Sequence, residues 1–188
     1  MKIERLSFSF EQKVIFDNLN LEFADGSITA LMAPSGKGKS TLLRLIAGLL
    51  KPQCGTIDTH GKSIGIMFQE PRLFGQLTAL QNITLVMKDK RNAKQQAMQL
   101  MEAFEVGEAS GKFPDELSGG MAKRISLARA IAYDSEILLL DEPFSALDIR
   151  TKKNVMTALK PYLQGKTVVL VTHDALEAAE FADNVIEL

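Results

Sequence analysis

The 188-residue chain has a single cysteine, no tryptophan and almost no net charge. Because Cys54 has no second cysteine to pair with, an internal disulfide is excluded, which suits a reducing compartment or a protein that needs no covalent cross-link. With 22 basic and 23 acidic residues, the formal charge is -1. Such a chain has no bulk attraction for a nucleic-acid backbone or an acidic membrane surface. We therefore expect no nucleic-acid partner.

Long hydrophobic runs are also missing. The most apolar stretch, Leu42 to Leu50, is interrupted by Arg44 and is too short to cross a bilayer. The first five residues carry charges where a signal peptide needs an apolar run. Any membrane association is therefore expected to depend on a partner protein. The length suits one domain, since domains typically have roughly 100 to 200 residues.

Strand-like and helix-like segments alternate along the chain, which predicts an α/β protein with a mainly parallel sheet. Two N-terminal segments alternate apolar and polar residues like half-buried antiparallel strands, and four short apolar runs are typical of buried parallel strands. The predicted strands are 3–10, 19–23, 28–32, 63–68, 137–140 and 167–171, with a further strand-like segment at 184–188. Residues 78–133 have a different pattern and predict a helical insertion. Its apolar residues with helical spacing are Ala93, Ala97, Leu100, Met101 and Phe104. We thus predict one domain over 1–188, with a catalytic core of 1–77 and 134–188 and a helical subdomain of 78–133.

A glycine-bearing loop follows the predicted strand 28–32 and leads into an apolar helix. The loop reads Ala33-Pro34-Ser35-Gly36-Lys37-Gly38-Lys39-Ser40-Thr41. Backbone N–H groups of such a loop can surround phosphate oxygens, and the positive end of the following helix points at the same charge. Lys39 is expected to reach the terminal phosphates, and Ser40 to offer its hydroxyl to Mg²⁺.

The loop departs from the strict phosphate-loop pattern at two positions. The pattern begins with glycine, so Ala33 is expected to strain the loop if that position needs a positive φ. Lys37, between the two glycines, adds a charge near the phosphates. From the loop alone, a plain strand-to-helix turn without a ligand stays open as an alternative.

An acidic pair follows the apolar run 137–140. Asp141 is placed to hold Mg²⁺ directly or through water. Glu142 points to the opposite face of an extended chain and is placed to polarise an attacking water molecule. The pair alone indicates only the start of a loop, but together with Lys39 it predicts a site for phosphoryl transfer.

Further motifs, in order along the chain, resemble those of the nucleotide-binding subunits of ATP-binding cassette (ABC) transporters. Leu117-Ser118-Gly119-Gly120-Met121 resembles the family's signature motif, and Ser145-Ala146-Leu147-Asp148 its dimer-contacting loop. Gln69 resembles the residue of its glutamine loop, and His173 its switch histidine. The departures are Met121 and Lys123, at positions where the family commonly has glutamine. They are expected to change contacts without removing the backbone cradle.

The resemblance implies a P-loop NTPase fold and an ATPase that uses ATP and Mg²⁺. In it, Glu142, His173 and Gln69 are catalytic, and Ser40, Gln69 and Asp141 hold the metal. The implied ATP-binding residues are Phe10, Ser35, Gly36, Lys37, Gly38, Lys39, Ser40, Thr41, Ser118, Gly119, Gly120 and Asp148. Phe10 falls where the family places an aromatic ring against adenine, and a core residue of the first strand stays open as the alternative.

The resemblance also implies partners. Since the phosphate loop and the signature face different nucleotides in the family, two copies arranged head to tail would complete two sites, as a homodimer or as a heterodimer with a sister chain. Integral membrane permease subunits are expected to dock near Phe74 and Leu77, with a solute-binding protein acting indirectly, at the cytoplasmic face of the membrane. The motif wording is similar to importers of nitrate, sulfonates and taurine.

Two other functions compete with solute import. One is a soluble ABC ATPase of the iron-sulfur assembly type, which needs only a single cassette. Soluble relatives in DNA repair or translation usually have a long coiled-coil insertion or a second cassette, for which this chain has no room. The other is a nucleotide-binding module that no longer hydrolyses, which Ala33 favours and the retained Glu142 and His173 oppose.

Overall fold

The structure is a computed structural model, and it describes residues 1–34 and 36–188 of the chain. Ser35 lies outside the described residues. The described chain forms two compact units. The first contains residues 1–66, 136–141 and 165–188, and the second contains residues 67–135 and 142–164.

An antiparallel sheet of three strands lies in the first unit, in the order β2-β1-β4. Its strands are β1 (Lys2–Phe10), β2 (Lys13–Glu22) and β4 (Cys54–Asp58). The two predicted N-terminal strands are confirmed, although β2 begins six residues before the predicted start at Leu19. β4 was not predicted, because its sequence offers only Ile57 as a large apolar side chain and contains Gly55.

A five-stranded sheet forms the core of the protein, in the order β5-β6-β7-β3-β8. Its strands are β3 (Ile28–Met32), β5 (Ile64–Met67), β6 (Ile137–Asp141), β7 (Thr167–Val171) and β8 (Asn184–Glu187). β3 pairs in parallel with β7 and β8, and β6 pairs in parallel with β7. Every residue of β6 and β7 is buried, as central parallel strands require. The prediction of a mainly parallel α/β fold is confirmed.

Six α-helices accompany the sheets in the described chain. They are α1 (Lys39–Ile46), α2 (Ala79–Thr84), α3 (Ala93–Ala103), α4 (Gly119–Ala132), α5 (Ile149–Leu159) and α6 (Ala175–Phe181). Three helices, α2 to α4, fall within the predicted insertion 78–133, and the apolar residues predicted for it from Ala93 to Phe104 are buried. No helix among the described residues combines the length and the apolar character needed to span a bilayer.

Candidate functional site

We call residues 33–38, which follow β3, the phosphate loop. In its described part, two glycines and the adjoining Lys39 determine the shape of the backbone. The Nζ of Lys39 donates to the carbonyl oxygens of Ala33 and Pro34 at 2.6 and 3.2 Å, and the residue is 8% exposed. The lysine is thus drawn across the loop that precedes it. Its ammonium adds positive charge to the end of β3 and the start of α1, which suits an anionic ligand.

Two glycines give the phosphate loop its turn. Gly36 and Gly38 have φ values of 81° and 89°, in the left-handed region that only glycine adopts readily. A Cβ on Gly38 would also lie 2.5 Å from Ile15 Cγ2 and 2.8 Å from Phe16 Cζ. Ala33 is not among the residues with positive φ, so the strain expected at this position does not arise. The packing of β2 against the loop was not predicted from the sequence.

The start of α1 is not capped by a side chain. Its N-cap residue is Gly38, which makes no side-chain hydrogen bond, and no acidic residue lies in its first turn. The N-terminal amides of a helix and the helix dipole attract anions when no side chain competes for them. α1 thus begins as a phosphate site should.

The carboxyl ends of β6 and β7 carry two further predicted residues. Because paired parallel strands end at the same edge of a sheet, Asp141 and the residues after β7 lie on the side from which the phosphate loop leaves β3. Asp141 closes β6 and is 5% exposed. His173 follows β7 and is exposed.

The backbone around His173 is held by the side chains of its two neighbours. Thr172 Oγ1 donates to Glu177 Oε2 at 2.5 Å and accepts from the Asp174 N–H at 3.0 Å. Asp174 in turn caps α6, accepting from the Leu176 N–H at 2.9 Å. Thr172 and Glu177 are both buried. His173 therefore sits on a short, fixed turn at the edge of the sheet.

In the second unit, the structure brings Gln69 and Glu142 together, although 73 residues separate them. The Nε2 of Gln69 donates to Oε2 of Glu142 at 3.3 Å. Glu142 has a φ of 48°, which is strained for a residue other than glycine, and its carbonyl accepts the Ser145 hydroxyl at 2.9 Å. Two of the three predicted catalytic residues, Gln69 and Glu142, are therefore in contact in the structure.

Residues 68–77, which we call the glutamine loop, are held by side chains from α2 and α4. Arg129 donates to the carbonyls of Pro71 and Arg72 at 2.9 Å each, and partial burial lowers the pKa of its guanidinium. Asn82, fully buried, accepts the Phe74 N–H at 2.8 Å and donates to the carbonyls of Phe74 and Leu77. Lys123 donates to the Gln69 carbonyl at 2.5 Å. Sequence reasoning had assigned no role to Asn82 or Arg129.

The signature segment opens α4 as the sequence indicates. Ser118 is its N-cap, and its hydroxyl accepts the Met121 N–H at 3.2 Å. A Cβ on Gly120 would meet the Ala146 carbonyl at 3.4 Å, so this glycine lies beside the segment that resembles the dimer-contacting loop. Asp148 of that segment caps α5, accepting from Arg150 and Thr151 N–H groups. Hydrogen bonds from Thr151 hold the pKa of Asp148 below its ordinary value.

Phe10 lies at the end of β1 and is 44% exposed. Its ring meets that of Phe8 edge to face, with centroids 4.9 Å apart. The exposed part of the ring leaves a face on which a flat base can stack. Stacking against adenine remains a prediction.

The donor set named for Mg²⁺ fits the chemistry of that ion. Mg²⁺ prefers hard oxygen ligands, usually one or two carboxylates with substrate phosphates and waters. In the first unit, Ser40 in the first turn of α1 carries a hydroxyl and the buried Asp141 a carboxylate. Gln69, the third predicted ligand, carries an amide oxygen and belongs to the second unit. Within residues 1–34 and 36–188, no group of three or more His, Cys, Asp or Glu is placed to hold a metal by itself.

Comparison with known proteins decides the family. A family model described as "ABC transporter" matches residues 16–145, more than half of the chain. The chain belongs to the ABC transporter family. The matched range includes the phosphate loop, the signature segment and the acidic pair after β6.

Curated members of the ABC transporter family align with almost the whole chain. A sulfate/thiosulfate import ATP-binding protein of Mesostigma viride is 40% identical over 201 residues, covering 98% of this chain and 58% of the relative. An ergothioneine transport ATP-binding protein of Helicobacter pylori (strain G27) is 37% identical over 203 residues, covering 99% of this chain and 95% of the relative. The chain spans little more than half the length of the sulfate/thiosulfate relatives from Mesostigma viride and Yersinia pseudotuberculosis.

Solved structures of the ABC family confirm the P-loop NTPase fold. A dimeric ATP-binding cassette in a post-hydrolysis state, bound to ADP and Pi, is 31% identical with a TM-score of 0.86, covering 100% of this chain and 93% of that one. A bacterial ABC exporter with ATP bound has a TM-score of 0.89 at 24% identity, a likeness that shows the fold alone.

Proposed function

We propose that this chain is the ATP-binding and ATP-hydrolysing subunit of an ABC transporter that imports a small solute. The observation that carries the proposal is the uncapped start of α1 behind a loop closed by Lys39. Family membership and relatives named as import ATP-binding proteins support it. The same relatives favour transport over the soluble iron-sulfur assembly alternative.

Binding of ATP falls to the first unit in this proposal. Lys39 and the amides at the start of α1 would take the phosphates, with Lys37 adding charge and Phe10 stacking on adenine. Ser40, Gln69 and Asp141 would hold Mg²⁺, which neutralises phosphate charge when bound.

Hydrolysis depends on the carboxylate of Glu142. It would accept a proton as the water oxygen bonds to the γ-phosphorus, while the bond from that phosphorus to the leaving oxygen of ADP breaks. Gln69 already touches Glu142 and would orient this carboxylate. His173, fixed by Thr172 and Asp174, would contact the γ-phosphate.

Two copies are proposed to form a dimer, with Ser118, Gly119 and Gly120 of one copy facing the γ-phosphate held by the other and Asp148 near the same contact. The solved dimeric cassette described above supports this arrangement. Sulfate, thiosulfate and ergothioneine in the relatives' names, and the nitrate, sulfonate and taurine importers of the sequence resemblance, mark the solute as small.

A groove of about 460 Å³ in the second unit is the proposed docking site for the permease, which would hold this chain at the cytoplasmic face of the membrane. Leu77, Leu85 and Ala93 line it, and Phe74 is also exposed. Leu85→Glu should abolish co-purification with the permease subunits. Val185→Glu on β8 is the matched control, because the two side chains are 50% and 52% exposed. Equal co-purification of both variants would reject the groove.

ATP turnover and light scattering, with and without Mg²⁺, test the proposed ATPase. The native chain should hydrolyse Mg-ATP, whereas Glu142→Gln should lose turnover by at least about 100-fold, in line with the loss of a general base. The variant should accumulate as an ATP-bound dimer. Full turnover by Glu142→Gln would remove this residue from its assigned role, and absence of ATP binding by the native chain would overturn the function.

A further inference from the structure

A buried lysine on α4 binds the backbone of the residue that contacts Glu142. Lys123 is 4% exposed, and its Nζ donates to the Gln69 carbonyl at 2.5 Å. From the same residue, the Gln69 side chain reaches Glu142 Oε2 at 3.3 Å. All three residues belong to the second unit. One side chain on α4 thus stands two contacts away from the proposed catalytic carboxylate.

Because Lys123 is buried, its hydrogen bond to the Gln69 carbonyl is sensitive to geometry. An ammonium group removed from water is costly unless its hydrogen bonds are made, so Lys123 and its acceptors hold each other in a defined geometry. A charged donor also makes a stronger hydrogen bond than a neutral one. The short distance to Gln69 agrees with such a bond.

The next carbonyls of the glutamine loop are fixed from the same helix. Arg129 holds those of Pro71 and Arg72, and Arg72 has a φ of 45° that this contact helps to maintain. Lys123 and Arg129 therefore fasten the loop on both sides of Glu70. With its backbone fixed, Gln69 retains mainly its side-chain torsions, and these decide where its amide points.

We propose that Lys123 is a positioning residue for ATP hydrolysis, which holds the Gln69 carbonyl so that the Gln69 amide is aimed at Glu142. The inference rests on the proposed ATPase function. Lys123 holds the Gln69 backbone and is not itself proposed to bind ATP, so its loss should lower kcat and leave the KM for ATP nearly unchanged.

Three substitutions at one position separate the charge, the donor and the length of the side chain. Lys123→Met keeps an unbranched side chain that is one bond shorter and removes the donor, Lys123→Gln keeps an N–H donor at that same shorter length, and Lys123→Arg keeps the charge. For Lys123→Met we expect kcat to fall about 10-fold, the rate equivalent of one lost charge-assisted hydrogen bond, with KM within about twofold of native. Lys123→Arg or Lys123→Gln should recover part of kcat.

Hydrogen exchange of residues 68–74, measured without nucleotide, gives a readout that does not depend on turnover. It should be faster in Lys123→Met than in the native chain. Arg124→Met is the matched control, because Arg124 lies beside Lys123 on α4 and donates instead to the carbonyls of Phe104 and Glu105. Its glutamine-loop exchange should match the native rate.

The outcomes distinguish the inference from the function on which it rests. Native turnover with an unchanged kcat in Lys123→Met overturns the inference alone. Equal losses of kcat and of unfolding temperature in all three variants, with native exchange of residues 68–74, reduce Lys123 to a structural residue and also overturn it. If the native chain does not hydrolyse ATP, the proposed function fails and the inference fails with it.

Discussion

The phosphate loop and the glutamine loop are held in opposite ways. The phosphate loop is shaped by its own stretch of sequence, by Gly36 and Gly38 at positive φ and by the adjoining Lys39, which folds back on carbonyls five and six residues earlier. Residues 68–77 are shaped from outside, by side chains of α2 and α4. Lys123 and Arg129 reach this loop across 54 to 58 residues of sequence.

The difference affects how each loop responds to mutation. A loop shaped from within should be sensitive at its own residues, above all where a glycine has no room for a Cβ. A loop held from outside should tolerate changes in its own sequence and fail when a distant holder is removed. Substitutions at Gly38 and Asn82 test this contrast, and a pH dependence at Asp148, with the smallest expected effect, follows them.

Gly38→Ala should be the most damaging change in the phosphate loop. The new Cβ would overlap Ile15 and Phe16, and the left-handed backbone would be strained as well. We expect a loss of about 2–5 kcal/mol in the free energy of unfolding, from backbone strain and overpacking together. Urea unfolding measures it.

Gly36→Ala is the control for Gly38→Ala. Gly36 has a similar φ of 81°, but nothing lies within 4 Å of the place that a Cβ would take, so only the backbone strain remains. The expected loss is about 1–2 kcal/mol. Equal losses in the two variants would show that contact with β2 does not constrain the loop.

Asn82→Ala should loosen the glutamine loop from a distance. The change removes the acceptor of the Phe74 N–H and the donor to the carbonyls of Phe74 and Leu77, all within a buried site. We expect a loss of about 2–3 kcal/mol in the free energy of unfolding, because buried polar groups lose their partners. Proteolysis near Gly75 should also become faster.

Asn82→Asp sharpens the comparison, because it keeps the acceptor for Phe74 and for Arg129 and replaces the amide donor with a carboxyl oxygen that faces the carbonyls of Phe74 and Leu77. Its stability should fall between those of the native chain and Asn82→Ala. If Asn82→Ala has the stability of the native chain, the glutamine loop does not depend on Asn82 for its structure. The contrast between the two loops would then disappear.

The smallest expected effect is a pH dependence at the start of α5. Hydrogen bonds from Thr151 lower the pKa of Asp148 from its ordinary value of 3.8, so the native state favours the ionised form. The resulting stability is present above that value and is lost as the pH falls through the lower, folded-state pKa. Asp148→Asn keeps the capping oxygen and removes the charge. Its urea midpoint should lie below the native one at pH 6, and the gap should close toward pH 2.5; a gap independent of pH would contradict the assignment.

Sequence patterns located the central sheet well and its surroundings less well. The bounds of β3 and β7 agree with the predicted runs, because a strand buried on both faces must be continuously apolar. β4 and the early part of β2 escaped prediction, since their residues are largely exposed and follow no clear alternation. α5 and α6 had no motif of their own and were not predicted.

In the candidate site, too, some residues could be predicted from the sequence and others could not. Asp141 and His173 could be placed from sequence because they lie at the carboxyl ends of recognisable strands, and Lys39 because it ends the glycine-bearing loop after another. Ligands of α/β proteins collect at that edge of the sheet. The contact between Gln69 and Glu142 was not predicted, and Gln69 itself was identified only through a resemblance. The holders of the glutamine loop could not be found, because a lysine or arginine on a helix does not indicate which distant carbonyl it binds.

The two lysines of the phosphate loop region differ in chemical reactivity as a result of how Lys39 is held. Lys37 is exposed, whereas Lys39 is buried with its Nζ engaged by two carbonyls. An amine-directed reagent such as an acylating agent needs an accessible, deprotonated nitrogen, so it will modify Lys37 well before Lys39. Covalent labelling can therefore attach a probe to Lys37 in the phosphate loop and leave the ammonium group of Lys39 unmodified.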